Sequence, residues 1–115
     1  MLGALAILAA CGARTPEDHV KALYGAIERG EHDSALKMVH PKLLQLVPES
    51  KLRASMVSMQ DRMAKCGGVK EVQVDLRPGQ GERNGKATIV FKGDCKAQES
   101  RVMVGEVAGK WYVAF

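Results

Sequence analysis

The sequence predicts an α+β domain, with helices first and one antiparallel sheet after them. Two observations carry this. Up to Gly68 the apolar residues recur every three or four positions, and beyond it they alternate with polar ones; these are the periods of helix and strand. The chain has 115 residues, 46% hydrophobic and 26% charged. That is enough for one modest core and too little for a doubly wound dinucleotide fold or a barrel enzyme.

Thr15-Pro16-Glu17-Asp18 reads as a helix start: a capping hydroxyl, a proline suited to the first helical position, and two carboxylates where the helix dipole favours them. Val20, Leu23, Tyr24 and Ile27 follow at helical spacing until Gly30. Asp33 is expected to cap a second, short helix through Ala35, Leu36, Met38 and Val39. His40-Pro41 ends it, because the residue before proline is pushed out of the helical region. Leu43, Leu44, Leu46 and Val47 form an apolar turn or short helix before Pro48. A third helix runs over 49–65 with Leu52, Met56, Met59, Met63 and Cys66 along one stripe, and Gly67-Gly68 stops it. Val72, Val74 and Leu76 mark a first strand, 69–76. A polar, Gly- and Pro-containing loop is expected over 77–84. Ala87, Ile89 and Phe91 mark a second strand, 86–93. Val102 and Val104 mark a third from about Gln98. Ala108-Gly109 makes a tight turn into a last strand carrying Trp111, Val113 and Phe115.

Seventeen Lys and Arg against thirteen Asp and Glu leave a net charge of +4. Nine basic and seven acidic residues lie between Arg14 and Lys65, and eight and six beyond. The excess is spread evenly, with no basic stripe interleaved with aromatics, so no nucleic-acid partner is expected. No apolar run reaches the roughly 18 residues of a spanning helix.

Residues 1–10 hold no charged side chain, and Leu2, Leu5, Ile7 and Leu8 sit among small residues. The stretch looks like the apolar core of an export signal. Leu8-Ala9-Ala10-Cys11 resembles the lipobox of bacterial lipoproteins, in which small residues precede a cysteine whose thiol is acylated before cleavage on its N-terminal side. Nothing basic precedes Arg14, so a basic segment is expected upstream of Met1. The resemblance implies an acylated Cys11, a tether over 11–14 and a single domain over 15–115. It places the domain on the periplasmic side of a bacterial cell envelope, lipid-anchored to a membrane. Gly12 after the cysteine favours the outer membrane.

The order of elements, Tyr24 in the opening helix, His40-Pro41, Gly67-Gly68-Val69 and Gly109-Lys110-Trp111-Tyr112-Val113 resemble small bacterial lipoproteins of the cystatin-like, nuclear-transport-factor-2-like cone fold, in particular an uncharacterised group labelled lumazine-binding-like. This implies three N-terminal helices packed on one curved antiparallel sheet of about four strands. It also implies a cup that relatives use for ligands, catalysis or dimerisation.

Candidate chemistry is sparse. Catalytic cone proteins place an Asp or His inside the cup, but Glu71, Asp75 and Glu99 fall on the polar side of their strands, Asp94 lies past a strand end, and no strand carries a His. His19 sits in a first helical turn, His32 in a loop and His40 before proline; their spacing matches no zinc pattern, so surface or cap roles are expected and no metal. Gly79-Gln80-Gly81 through Gly85-Lys86 lacks the spacing and following helix of a phosphate loop. No catalytic residue and no cofactor is assigned. The methionine stripe is either adaptable binding surface or plain core. Any ligand pocket is expected to be lined by Tyr24, Met56, Met59, Met63 and Trp111.

Export puts the chain where disulfides persist. With Cys11 acylated, Cys66 and Cys95 are left to pair. A hairpin folded about the middle of the 77–84 loop sets 66 opposite 95 when its register is continued past the strand ends.

The expected role is a non-catalytic domain binding a small apolar ligand or an envelope protein. The rivals are an active or degenerate cone enzyme and a structural domain dimerising through its sheet. Mass spectrometry of membrane-fraction protein is expected to show loss of residues 1–10 and a lipid on Cys11, whose acyl chains hold to a bilayer with about 0.8 kcal/mol per buried methylene; an unprocessed, unacylated chain in a host with intact lipoprotein maturation would contradict this.

Overall fold

The computed structural model describes residues 15–79 and 81–115, so residues 1–10, Cys11 and the 11–14 tether lie outside it. Four helices precede four strands: α1 (Pro16–Glu28), α2 (His32–Met38), α3 (Pro41–Leu46), α4 (Glu49–Lys65), β1 (Val69–Leu76), β2 (Arg83–Phe91), β3 (Gln98–Val107) and β4 (Lys110–Ala114). The strands form one antiparallel meander in the order β1-β2-β3-β4. The sheet curls as a half-barrel around the helices: the α+β layout that the periodicities predict, in the cone form that the resemblance implies.

Helix α1 begins as expected. The Asp18 amide donates to Thr15 Oγ1 at 3.0 Å and the Thr15 amide to Asp18 Oδ2 at 3.3 Å, a reciprocal capping box with Pro16 at its start. Its inward face buries Val20, Leu23, Tyr24 and Ile27. Helix α2 starts at His32 rather than at an Asp33 cap: Gly30 turns the chain at φ 77, and Glu31 occupies the cap position without a side-chain bond. The apolar stretch after His40 is a true helix, α3, yet it buries no residue, and Leu46 is 81% exposed.

Helix α4 packs Leu52, Met56 and Met63 inward. It ends in a Schellman turn, with the Gly68 amide donating to the Met63 carbonyl at 2.8 Å and the Gly67 amide to the Ala64 carbonyl at 3.1 Å. Both glycines take positive φ, 85 and 94, which a side chain would resist. An exposed ion pair of Arg53 with Asp33 ties α2 to α4, and Arg53 also pairs with Glu49 one turn earlier on α4 itself.

In the sheet, Val72 pairs with Ile89, Val74 with Ala87 and Leu76 with Gly85, the register expected from the hairpin midpoint. A bulge between Val69 and Glu71 displaces it by one residue at the first pair, Val69 with Phe91. Strand β2 starts at Arg83, inside the expected loop, because Arg83 and Asn84 pair with Val104 and Met103 of β3 beyond the end of β1. Ala87, Ile89, Phe91, Val102, Val104 and Val113 meet the helices in one buried core. Cys66 and Cys95 are joined by a disulfide, with Cα atoms 5.4 Å apart.

At Gly85 the curl brings β1 against β2 so closely that a Cβ would run into the Asp75 carbonyl and within 2.8 Å of the Leu76 Cα. Both obstacles are backbone, so neither can step aside. Gly85→Ala is expected to lower the unfolding free energy by about 1–3 kcal/mol in urea denaturation, whereas Gly109→Ala, which meets nothing within 4 Å, is left with only its backbone strain.

Candidate functional site

Of the five residues expected to line a pocket, the structure places Tyr24, Met56 and Met63 in the packed core, at 1%, 0% and 2% exposure. The stripe at helical spacing is core at those positions, because α4 lies with that face down between α1 and α2. Met59 is half-buried at the margin of the same core. Trp111 alone of the five borders an open groove.

That groove, about 620 Å³, lies between α1, α2 and the start of β4. Helix α1 contributes His19 and Ala22, α2 contributes Lys37 and Met38, and the turn into β4 contributes Gly109 to Tyr112. The turn is tight because Ala108 and Gly109 both take positive φ, 52 and 81, so Lys110 and Trp111 are presented at once beside the helices. The indole has the Arg83 guanidinium over its ring at 5.5 Å, a cation–π contact that orients it. Lys37 and Lys110 are exposed, and neither is ion-paired among the described residues. No Asp or Glu is among the lining residues, so the groove is cationic with an apolar wall of Trp111, Met38 and Ala22.

Desolvation by burial lowers the His19 pKa below 6.5, against an opposing pull from Asp18. The imidazole is therefore neutral at pH 7 and becomes a third positive charge on acidification.

A second depression, about 820 Å³, lies on the outer face of the sheet among Asp75, Arg77, Asn84, Lys86, Glu99 and Arg101. It carries charges of both signs, Lys86 bonds Glu99 at 3.3 Å, and no aromatic ring lines it. It offers neither an apolar wall nor one sign of charge. Glu71, Asp75 and Glu99 are exposed, as their strand parity predicts, and so is Asp94 past the end of β2.

The other histidines are structural. His32 opens α2 rather than lying in a loop, and its Nε2 bonds Gln60 Oε1 of α4 at 3.1 Å. His40 caps α3: its Nδ1 accepts from the Lys42 amide at 3.1 Å, and its ring is buried over Gly105 and meets Tyr112 edge-on at 6.4 Å. The Tyr24 hydroxyl is buried without a hydrogen-bond partner in good geometry among the described residues; desolvation raises its pKa above 10, and the nearby Ser100 side chain offsets part of that rise. No group of three His, Cys, Asp or Glu side chains able to hold a metal occurs among the described residues.

The groove was not legible in the sequence because Lys37, Lys110 and His19 lie on three separate elements. The available signal was Gly109-Lys110-Trp111, a tight turn that sets a cation beside the chain's one tryptophan.

No protein-family model matches the chain, and no curated protein matches it. One solved structure, from Campylobacter jejuni and described as an NTF2-like transpeptidase, is similar with a TM-score of 0.76 at 19% identity, covering 87% of this chain and 97% of its own. At that identity the likeness establishes the nuclear-transport-factor-2-like cone fold and does not extend to activity.

The histidine gives a signed pH dependence. Its folded pKa is lowered relative to the unfolded value, so the unfolded chain binds the proton more readily. The His19 contribution to stability is whole above pH 6.5 and is eroded as pH falls below it. His19→Gln is expected to lose less thermal stability than the parent chain between pH 7 and pH 5, read by circular dichroism; equal losses would contradict the assignment.

Proposed function

We propose that this chain is a non-catalytic binding domain that takes a small anionic, partly apolar ligand in the groove around Trp111. The observation that carries it is the convergence of Lys37, Lys110 and His19 from three elements on one half-buried indole, with no carboxylate in the lining. Two ammonium groups hold a carboxylate or sulfonate as point charges, and Trp111, Met38 and Ala22 take its apolar body. The volume is that of a small-ligand site rather than of a macromolecular face. The lipobox-like Leu8-Ala9-Ala10-Cys11 supports placing this domain at the bacterial envelope, held to a membrane by acyl chains on Cys11.

Binding is preferred to turnover on the chemistry of the lining. Acyl transfer, the reaction in the description of the similar structure, needs a nucleophile activated by a neighbouring base. The groove lining includes no Ser, Thr or Cys beside His19. Cys66 and Cys95 are joined to each other.

Trp111 is the only tryptophan of the chain, so its emission reports the groove directly. Decanoate is expected to shift and quench it saturably in the oxidised Cys11→Ser chain, and decanol, with the same tail and no charge, is not. Lys37→Glu is expected to weaken decanoate binding about tenfold, the loss of one charge-assisted contact. An unresponsive tryptophan, or equal responses to acid and alcohol, would overturn the reading.

A further inference from the structure

Strand β1 is one edge of the sheet and pairs with β2 alone. In an antiparallel ladder alternate residues direct both main-chain groups to the same neighbour. The Arg77 amide donates to the Asn84 carbonyl at 2.9 Å, continuing the β1–β2 ladder. By that alternation Glu71, Gln73, Asp75 and Arg77 direct their groups toward β2, and Val72, Val74 and Leu76 direct theirs away from the sheet. Those outward groups have no backbone partner among the described residues. The opposite edge is treated differently: Val39 bridges to Val113 in parallel and the His40 amide donates to the Val113 carbonyl at 2.8 Å. Devices that blunt a free edge, such as a bulge or proline, lie outside the stretch 71–77, at Val69/Glu71 and at Pro78.

We propose that a second copy of this chain occupies this edge, antiparallel, about a two-fold axis through Val74, so that the two sheets become one. The register follows from two conditions. Outward-directed groups must meet outward-directed groups, so Val72, Val74 and Leu76 pair among themselves. The exposed side chains facing each other across the new ladder must also not repel. Centring the pair on Gln73 sets Glu71 against the partner's Asp75, and centring it on Asp75 sets that carboxylate against its own copy. Centring on Val72 opposes no unlike charges, and centring on Leu76 sets Val74 opposite the partner's Pro78, which has no amide to donate. Centring on Val74 sets Glu71 opposite the partner's Arg77 and Asp75 opposite the partner's Gln73, each twice by symmetry. It also sets Val72 against the partner's Leu76 on the inward face. This surface is separate from the Trp111 groove and does not depend on the ligand assigned to it.

Cross-linking reads the register. In the oxidised full chain carrying Cys11→Ser, Gln73 and the partner's Asp75 face each other as a non-hydrogen-bonded pair, close enough for a disulfide. An equimolar mixture of Gln73→Cys and Asp75→Cys chains is expected to give a mixed disulfide dimer under mild oxidation, identified by mass, while neither variant links to itself. In sedimentation equilibrium Arg77→Glu is expected to raise the dimer dissociation constant about tenfold, and adding Glu71→Arg to restore it. A chain that stays monomeric at every concentration, a Gln73→Cys or Asp75→Cys chain that links to itself, or a dimer indifferent to Arg77→Glu would overturn the proposal. Because all these positions are exposed, far-UV circular dichroism of each variant separates loss of pairing from loss of fold.

Discussion

The structure depends on one corner, where α4 becomes β1. Five ties converge there within a few residues. The Gly68 amide closes the helix onto Met63, the Gly93 amide donates to the Cys66 carbonyl at 2.9 Å, and the Lys92 amide donates to the Gly68 carbonyl at 2.9 Å. The Val69 amide donates to Glu28 Oε2 at 2.8 Å, and Cys66 is bonded to Cys95. Together they close α4 on itself, fix the first strand to α1, and bind the α4–β1 turn to the β2–β3 connection through Lys92, Gly93 and Cys95. The backbone can approach this closely only because glycine stands on both sides. A Cβ on Gly93 would come within 2.6 Å of the Cys66 carbonyl oxygen, and one on Gly67 within 3.0 Å of the Gly93 nitrogen. Closing a loop with a sequence separation of 29 adds about 3–4 kcal/mol to this corner in the chain-entropy estimate.

With that corner fixed, the two ends of the sheet differ. At the corner the hairpin β1–β2 is anchored and its register set, and its far end curls over at Gly85. The other edge is held by the chain leaving α2, where Val39 and His40 continue the sheet as an irregular parallel strand beside β4. His40 serves both sides of that junction. Its amide bonds β4, and its ring caps α3 and fills the space over Gly105. The helical layer is thus stapled at both ends of its run, and the core between them needs no further polar tie. The Tyr24 hydroxyl, buried there without a well-formed bond, is a cost this packing tolerates.

Much of this was legible in the sequence, and the reason is physical. Strand parity alone separated Val72, Val74 and Leu76 from Glu71, Gln73 and Asp75, since a slip by one residue would reverse every side chain. The hairpin midpoint paired Cys66 with Cys95 because the bulge at its open end displaces the ladder by a single residue, within the reach of a disulfide. The methionine stripe was readable as a stripe but not as core or cup, because helical spacing fixes a face and not what covers it. The status of 41–46 stayed open between turn and helix because the segment is too short to show a period and buries none of its residues fully, with only Leu43 resting against the core. Asp33 failed as a cap because Gly30 turns the chain two residues too early for it.

The groove is illegible for a related reason. A net charge of +4 spread evenly along the chain gives no linear patch, yet three elements meeting at one end of the cone set a histidine and two ammonium groups, without an ion-pair partner among the described residues, around a single ring. The outer face mixes the two signs instead: Asp75 faces Lys86 across β1 and β2, and Lys86 is ion-paired with Glu99. Charge at the groove is therefore a product of topology: the margin where helices meet the β3–β4 turn gathers cations that lie far apart in the sequence. An anionic ligand in the groove proposed above would gain a third cationic neighbour when His19 takes up a proton as pH falls.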